Sequence, residues 1–200
     1  FYTSGTDAAP KGVVYSHATL FHNTDAGMAA MDVSAGDRVL DFRSCAWVSA
    51  QEIALLGPLI RGATSLLARR FSRSQYLDWI RDYRVSIAAC VPAGLSMLVR
   101  ESVPLKADDM PALRYISSSS APLLGEDTLA FERQYGITVA QSIGSSELGW
   151  IAGSNGADRR IGSAGRPAKH QRVEIVDDAG ASLPNCEVGH IRVTLSLIHI

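Results

Sequence analysis

From Ser16 to Leu148 the chain alternates short apolar runs with amphipathic segments, a pattern that few architectures satisfy. Residues 17–31 read as a helix with Leu20, Phe21, Thr24 and Met28 near one face, followed by a strand over 38–42. Residues 50–60 read as a second helix on Ile53, Leu56 and Ile60, and 63–68 as a buried strand. Ser72 with Gln75 matches a capping box and predicts a helix carrying Leu77, Ile80 and Tyr83. VSIAACV (85–91) reads as a strand ended by Pro92, and the next helix carries Leu95, Leu98 and Val99. LRYIS (113–117) leads into SSSSAP and a helix from about Glu126 that stops before Gly136; ITVAQS (137–142) closes the series. Strands separated by helices imply an α/β fold, a mainly parallel sheet with flanking helices. Beyond it, apolar and polar residues alternate over 172–176 and 188–195 around Asp177-Asp178-Ala179-Gly180, predicting a small antiparallel β piece. The expected division is an α/β portion over 1–150 and a β-rich portion of the same domain over 151–194, with 195–200 a non-native tail.

In open parallel sheets, ligands bind at the carboxyl ends of the strands, the position taken by SSSSAP and QSIGSSE. A third loop opens the chain: FYTSGTDAAPKGV, residues 1–13. It is not a Walker-A loop, because Pro10 lacks an N–H where a glycine is needed and Gly12 follows Lys11 in place of a hydroxyl residue. Its composition still suits an anion: Thr3, Ser4 and Thr6 can donate, Gly5 lets the backbone approach, and Lys11 brings a positive charge. Ordinary turn punctuation is the competing reading.

The net charge of −1 offers no general attraction for nucleic acid, and no apolar run is long enough for a membrane span. A cytoplasmic protein is expected, of unknown oligomeric state. Cys45, Cys90 and Cys186 are widely spread without a Cys-x-x-Cys pair, and His17 and His22 do not share a helix face, so neither a disulfide framework nor a zinc site is expected.

Taken together, the loops resemble a family. FYTSGTDAAPKGVVYSH is similar to the phosphate-binding signature of the adenylate-forming enzymes, which include acyl-CoA synthetases, luciferases and peptide-synthetase adenylation domains. SSSSAPL resembles their adenine-contacting Gly-Ala-Pro loop and QSIGSSE their Tyr-Gly-x-Thr-Glu loop. IGSAGRPAKHQRVEIVDDAG and EVGHIRV resemble the Gly-x-x-Gly-x-Pro and Gly-Glu-x-Gly-Glu-Ile region beyond.

The resemblance implies an ATP-dependent acid–CoA ligase that makes an acyl-adenylate from a small-molecule carboxylic acid and passes the acyl group to coenzyme A. It implies that Thr3, Ser4, Gly5, Thr6 and Lys11 face the β- and γ-phosphates, and that Ser120, Ala121 and Pro122 line the adenine. Ile143, standing where the family has an aromatic ring, lies against the base with Gly144 and Ser145. Ser146 would donate to the α-phosphate and Glu147 would hold magnesium, making Ser146, Glu147 and Lys11 the catalytic set. The competing reading of Glu147 is a solvated carboxylate at a helix N-terminus.

Trp47 lies where the acyl pocket begins, and Trp150 is a second candidate wall; core packing is the alternative for each. No acidic residue stands at a position known by motif to hold an α-amino group, which favours an acyl or aryl acid over an amino acid. Asp7 and Ala8 replace the usual Thr-Gly and are expected to weaken ATP binding; His190 replaces a glutamate and suggests no role. The ribose-binding aspartate and the mobile C-terminal domain with its lysine would follow residue 200, so the chain reads as an internal fragment of the large domain. Three readings compete: a non-catalytic nucleotide-binding homologue, an amino-acid adenylation domain, and a hydrolase whose nucleophile elbow is nearly spelled by residues 144–149, with the second glycine one residue late at Gly149.

Overall fold

The computed structural model describes residues 2, 3, 9–169 and 171–195. Helix α1 (His17–Ala30) is capped by Ser16, whose Oγ accepts from the Thr19 N–H at 3.0 Å. It leads to β1 (Arg38–Asp41) and then to one helical stretch built from α2 (Val48–Ala50), a π-helical turn (Gln51–Leu56) and α3 (Gly57–Arg61). The order continues β2 (Thr64–Leu67), α4 (Tyr76–Asp82), β3 (Ile87–Cys90), α5 (Pro92–Arg100), β4 (Tyr115–Ser118), α6 (Gly125–Tyr135) and β5 (Val139–Ser145). Strands β6 (Gly149–Gly153), β7 (Arg166–Pro167), β8 (Gln171–Val176) and β9 (His190–Leu195) complete it.

The main sheet has seven strands in the order β2-β1-β3-β4-β5-β6-β7. Its first five are parallel, and β6 and β7 add antiparallel at one edge. Strands β8 and β9 form a separate antiparallel pair. The expected α/β class, a mainly parallel sheet with flanking helices and a small antiparallel piece, is what the chain adopts.

Alternation along the strands splits the core in two, because successive side chains point to opposite faces. Leu40, Ala88, Ile116 and Val139 pack under α4, α5 and α6 with Tyr76, Leu95 and Phe131. Val39, Ile87, Tyr115 and Ala140 meet Met28, Ile53 and Trp150 on the other face. Both faces are therefore covered, as a parallel sheet requires. Gly136 ends α6 in the left-handed conformation at φ 70°, as its place after the helix predicts.

Four expectations need correction. The buried face of α1 is Thr24, Gly27 and Met28, whereas Phe21 is half exposed; the Trp150 ring lies against Gly27 and takes the space a larger side chain would fill. Strand β2 is not buried: it is an edge strand, with Leu67 turned outward. Ser72 and Gln75 make no capping box, because the helix begins at Tyr76 with no side-chain cap on Gln75 and the two residues form the turn before it. QSIGSSE is mostly strand, since β5 runs on to Ser145 and only residues 146–148 turn. No described helix is long and apolar enough to cross a membrane.

Candidate functional site

A cleft of about 410 Å³ lies at the carboxyl ends of the central strands. Its walls come from the loop after β4 (Ser119, Ser120), the β5–β6 hairpin (Ile143 to Ser146), the helical stretch after β1 (Trp47, Glu52) and Tyr2. A second cavity of equal volume borders the edge strand β2 with Arg69, Arg70 and Trp79. Volume does not choose between them; the convergence of three motif loops does.

The hairpin is set by its backbone. Strands β5 and β6 pair Ser145 with Gly149, and a register shift falls between Ile143 and Gly144. A side chain at Gly144 would press its Cβ to 2.5 Å from the Gly149 carbonyl, so the bulge needs glycine. Gly149 turns the chain at φ 64°, where a Cβ would meet the Asn23 amide. That amide clamps the turn from α1: Asn23 Nδ2 donates to the Leu148 carbonyl, and the Trp150 N–H donates to Asn23 Oδ1 at 2.7 Å. Tyr15 adds a third tie by donating from its hydroxyl to the Ser146 carbonyl at 3.0 Å. Burial, and then the Glu52 and Glu147 carboxylates, push the Tyr15 hydroxyl well above its ordinary range, so it stays a donor.

The loop after β4 is positioned by a buried ion pair. Arg43 and Asp41 are 2.7 Å apart, with side chains 5% and 0% exposed. Arg43 Nε also donates to both carboxylate oxygens at 3.1 Å, and its Nη1 reaches Ser119 Oγ at 2.8 Å. The guanidinium thus ties the end of β1 to the end of β4. Ser120 follows at φ 74°, a left-handed conformation that glycine adopts without steric cost, and it stands where the resembled Gly-Ala-Pro loop has glycine.

The structure brings Trp47, Ser120, Ile143, Gly144, Ser145 and Ser146 together in one cleft. Ala121 and Pro122 are exposed beside it and are not part of its wall. Glu147 is exposed in the turn between two strands, so the helix N-terminus that competed for it does not exist. The same geometry removes the hydrolase, whose nucleophile elbow needs a strand-to-helix turn. Trp150 is 5% exposed and serves both core and cleft.

At the opening loop the Thr3 N–H donates to the Lys11 carbonyl at 3.0 Å, and the Lys11 N–H donates to Thr3 Oγ1 at 3.1 Å. Thr3 therefore accepts from the backbone while its own hydroxyl proton remains available to donate. Ser4, Gly5, Thr6, Asp7 and Ala8 lie outside the described residues, as do residues 196–200 of the expected tail. His190, inside the EVGHIRV segment, bonds Asp178 at 2.9 Å across the β8–β9 connection.

Sequence reasoning missed Asn23, Arg43 with Asp41, and Glu52. No motif marks Asn23 or Arg43 themselves; they act by holding the backbone of the hairpin and the serines of the loop after β4. Glu52 had one visible signal, as the sole charged residue of the helix expected over 50–60.

A family profile described as AMP-binding enzyme matches residues 1–196. The uncharacterized acyl–CoA ligase YtcI of Bacillus subtilis is 32% identical over 199 residues, covering 98% of this chain and 37% of the relative. The indoleacetate–CoA ligase of Aromatoleum aromaticum is 31% identical over 195 residues, covering 96% of this chain and 38% of the relative. Among solved structures, ATP-bound MatB from Rhodopseudomonas palustris superposes at a TM-score of 0.89 over 97% of this chain and 38% of its own, at 23% identity, a likeness of fold. The N-terminal domain of FACL13 from Mycobacterium tuberculosis gives 0.83 over 97% and 48%, at 28% identity. The chain thus spans less than half the length of each of these proteins. With the family profile covering nearly all of its residues, the chain belongs to the AMP-binding enzyme family.

Proposed function

We infer that the full-length protein carrying this chain is an ATP-dependent acid–CoA ligase. It activates a small carboxylic acid as an acyl-adenylate with release of pyrophosphate, and it transfers the acyl group to coenzyme A. The observation that carries this reading is the single cleft in which the Ser120 loop, the Ile143–Ser146 hairpin and Trp47 converge at the strand ends.

In this reading Thr3, Ser4, Gly5, Thr6 and Lys11 hold the β- and γ-phosphates. Ser120 borders the adenine together with Ile143, Gly144 and Ser145, and Ala121 and Pro122 reach it from the exposed rim beside the cleft. Ser146 donates its hydroxyl to the α-phosphate, and Trp47 walls the acid. Such chemistry depends on holding reactants in line and stabilising moving charge, and it calls for no protein nucleophile.

Magnesium fits the residues present. No cluster of three metal-ligating side chains occurs among the described residues, and Glu147 is an exposed carboxylate next to Ser146 in the turn. Magnesium bound to nucleotides takes one or two carboxylates and fills the rest of its sphere with phosphate and water. When bound by Glu147 it would neutralise phosphate charge.

Acid-dependent exchange of pyrophosphate into ATP, run on the full-length protein with fatty, aryl and amino acids, tests the reading. Exchange with at least one acid is expected. ATP binding without exchange for any acid would establish a non-catalytic nucleotide-binding homologue instead.

A further inference from the structure

We propose that Glu52 is a specificity-determining residue of the acid-binding wall, and that the acid this protein activates carries an N–H or O–H donor that reaches Glu52. The inference rests on the ligase reading above and names its substrate class.

Glu52 is 3% exposed, yet it forms part of the cleft wall. Its Oε1 is buried and has no hydrogen-bond partner among the described residues. Leaving a buried acceptor unpaired costs free energy that native folds rarely tolerate without a use for the group. Its neighbours on this wall are Trp47, Val48, Ser49 and Ile53, and among the described residues no lysine or arginine lines the cleft. Among the described residues this carboxyl finds neither a counter-charge nor, at Oε1, a donor, and a ligand in the cleft can supply one.

The backbone singles out the same residue. Glu52 sits on the π-helical turn Gln51–Leu56, between the α-helical residues Val48–Ala50 and Gly57–Arg61. Such turns re-aim side chains within a helix and recur at functional sites. The wall from Trp47 to Ile53 is distinct from the Ser120 and Ile143 side, to which the nucleotide is assigned, so a ligand group meeting Glu52 belongs to the acid. Burial pushes the Glu52 carboxyl up to about 8, so the cleft presents a neutral carboxyl at pH 7.

A site built to bond a substrate hydroxyl or amine rejects the analogue that lacks it, because the protein group is then stranded. The test is pyrophosphate exchange by the full-length protein with matched acids: benzoate against its hydroxy, amino and methoxy derivatives, and hexanoate against 6-hydroxy- and 6-aminohexanoate. At least one donor-bearing acid should exceed its unsubstituted partner in kcat/KM by about tenfold or more. The methoxy derivatives, which keep the oxygen and lose the donor, should show no such advantage. Glu52→Leu should bring the ratio close to one, whereas a merely structural role would lower both acids together and leave the ratio intact. Should Glu52→Leu not fold, Glu52→Met, which likewise removes both carboxyl oxygens at similar volume, decides by the same ratio, expected to fall by about threefold or more.

A parent enzyme that prefers unsubstituted acids, or a ratio that survives the substitution, overturns the inference while leaving the ligase reading in place. Absence of exchange with every acid overturns the ligase reading and this inference with it.

Discussion

Three carboxylates near the cleft differ in environment, and each difference sets a separate expectation. Asp41 is fully buried against Arg43. Asp41→Asn strands a buried guanidinium, and breaking such a pair typically costs about 3–5 kcal/mol. Denaturant unfolding of the full-length protein should show a loss of that order, and a change under about 1 kcal/mol would mean that water or Ser119 compensates for the charge. Glu52 is buried without a charge partner, and its raised proton affinity belongs to the folded state alone. Between about 4.5 and about 8 the folded protein holds a proton that the unfolded chain releases. Stability contributed by Glu52 is therefore complete below the lower value, falls as pH rises through the window, and levels off above it. At roughly 1.4 kcal/mol per unit the fall amounts to a few kcal/mol. Glu52→Gln should flatten this slope in melts between pH 5 and pH 9; an unchanged slope would place the titration elsewhere. Glu147 is exposed, so its expectation is functional: Glu147→Gln should slow adenylate formation far more than thioester formation from supplied acyl-adenylate, and should raise the magnesium requirement. Equal losses in both half-reactions would leave Ser146 as the functional residue of the turn.

Among the elements, the β5–β6 hairpin carries the site, and its shape depends on Gly149. Two glycines with positive φ make a controlled comparison, since Gly180, at φ 82°, has open space where its Cβ would go. Gly180→Ala should cost about 1 kcal/mol of backbone strain. Gly149→Ala adds a clash with the Asn23 amide that clamps the turn, so it should cost clearly more and weaken nucleotide binding as well. Equal costs would mean that Asn23 swings aside freely. The parallel strands were legible because four-to-seven-residue apolar runs bounded by glycine, proline and helical periodicity have few other homes. Strand β6 was not, because Gly149-Trp150-Ile151-Ala152-Gly153 follows a serine-rich turn and neither alternates nor shows β-branched enrichment beyond Ile151. The π-helical turn was equally hidden: it depends on how α1 and the sheet pack around residues 51–56, not on local propensity. The outward face of β2 reflects edge position, which a single strand does not encode. The exposed Phe21 has a similar origin, since the inward place on α1 goes to Gly27 under the Trp150 ring.

At the scale of the whole molecule, the motif loops are far apart in sequence and converge because parallel strands all end on the same side of the sheet. That convergence was foreseeable from the strand–helix alternation together with the resemblance of SSSSAPL and QSIGSSE to known loops. The identity of the acid was not, because the wall assigned to it in the proposed reading is a helical stretch on which Glu52 acquires meaning only from burial. In the proposed reaction a carboxylate oxygen of the acid attacks the α-phosphorus of ATP. Turnover of an acid labelled with 18O in its carboxylate, with ATP, magnesium and coenzyme A, follows that oxygen directly. When the thiol displaces the adenylate, the bridging oxygen leaves with the nucleotide, so mass spectrometry should find one 18O in AMP for each thioester formed. Label in inorganic phosphate with ADP as the nucleotide product, or thioester formed alongside unlabelled AMP, would rule out an acyl-adenylate route.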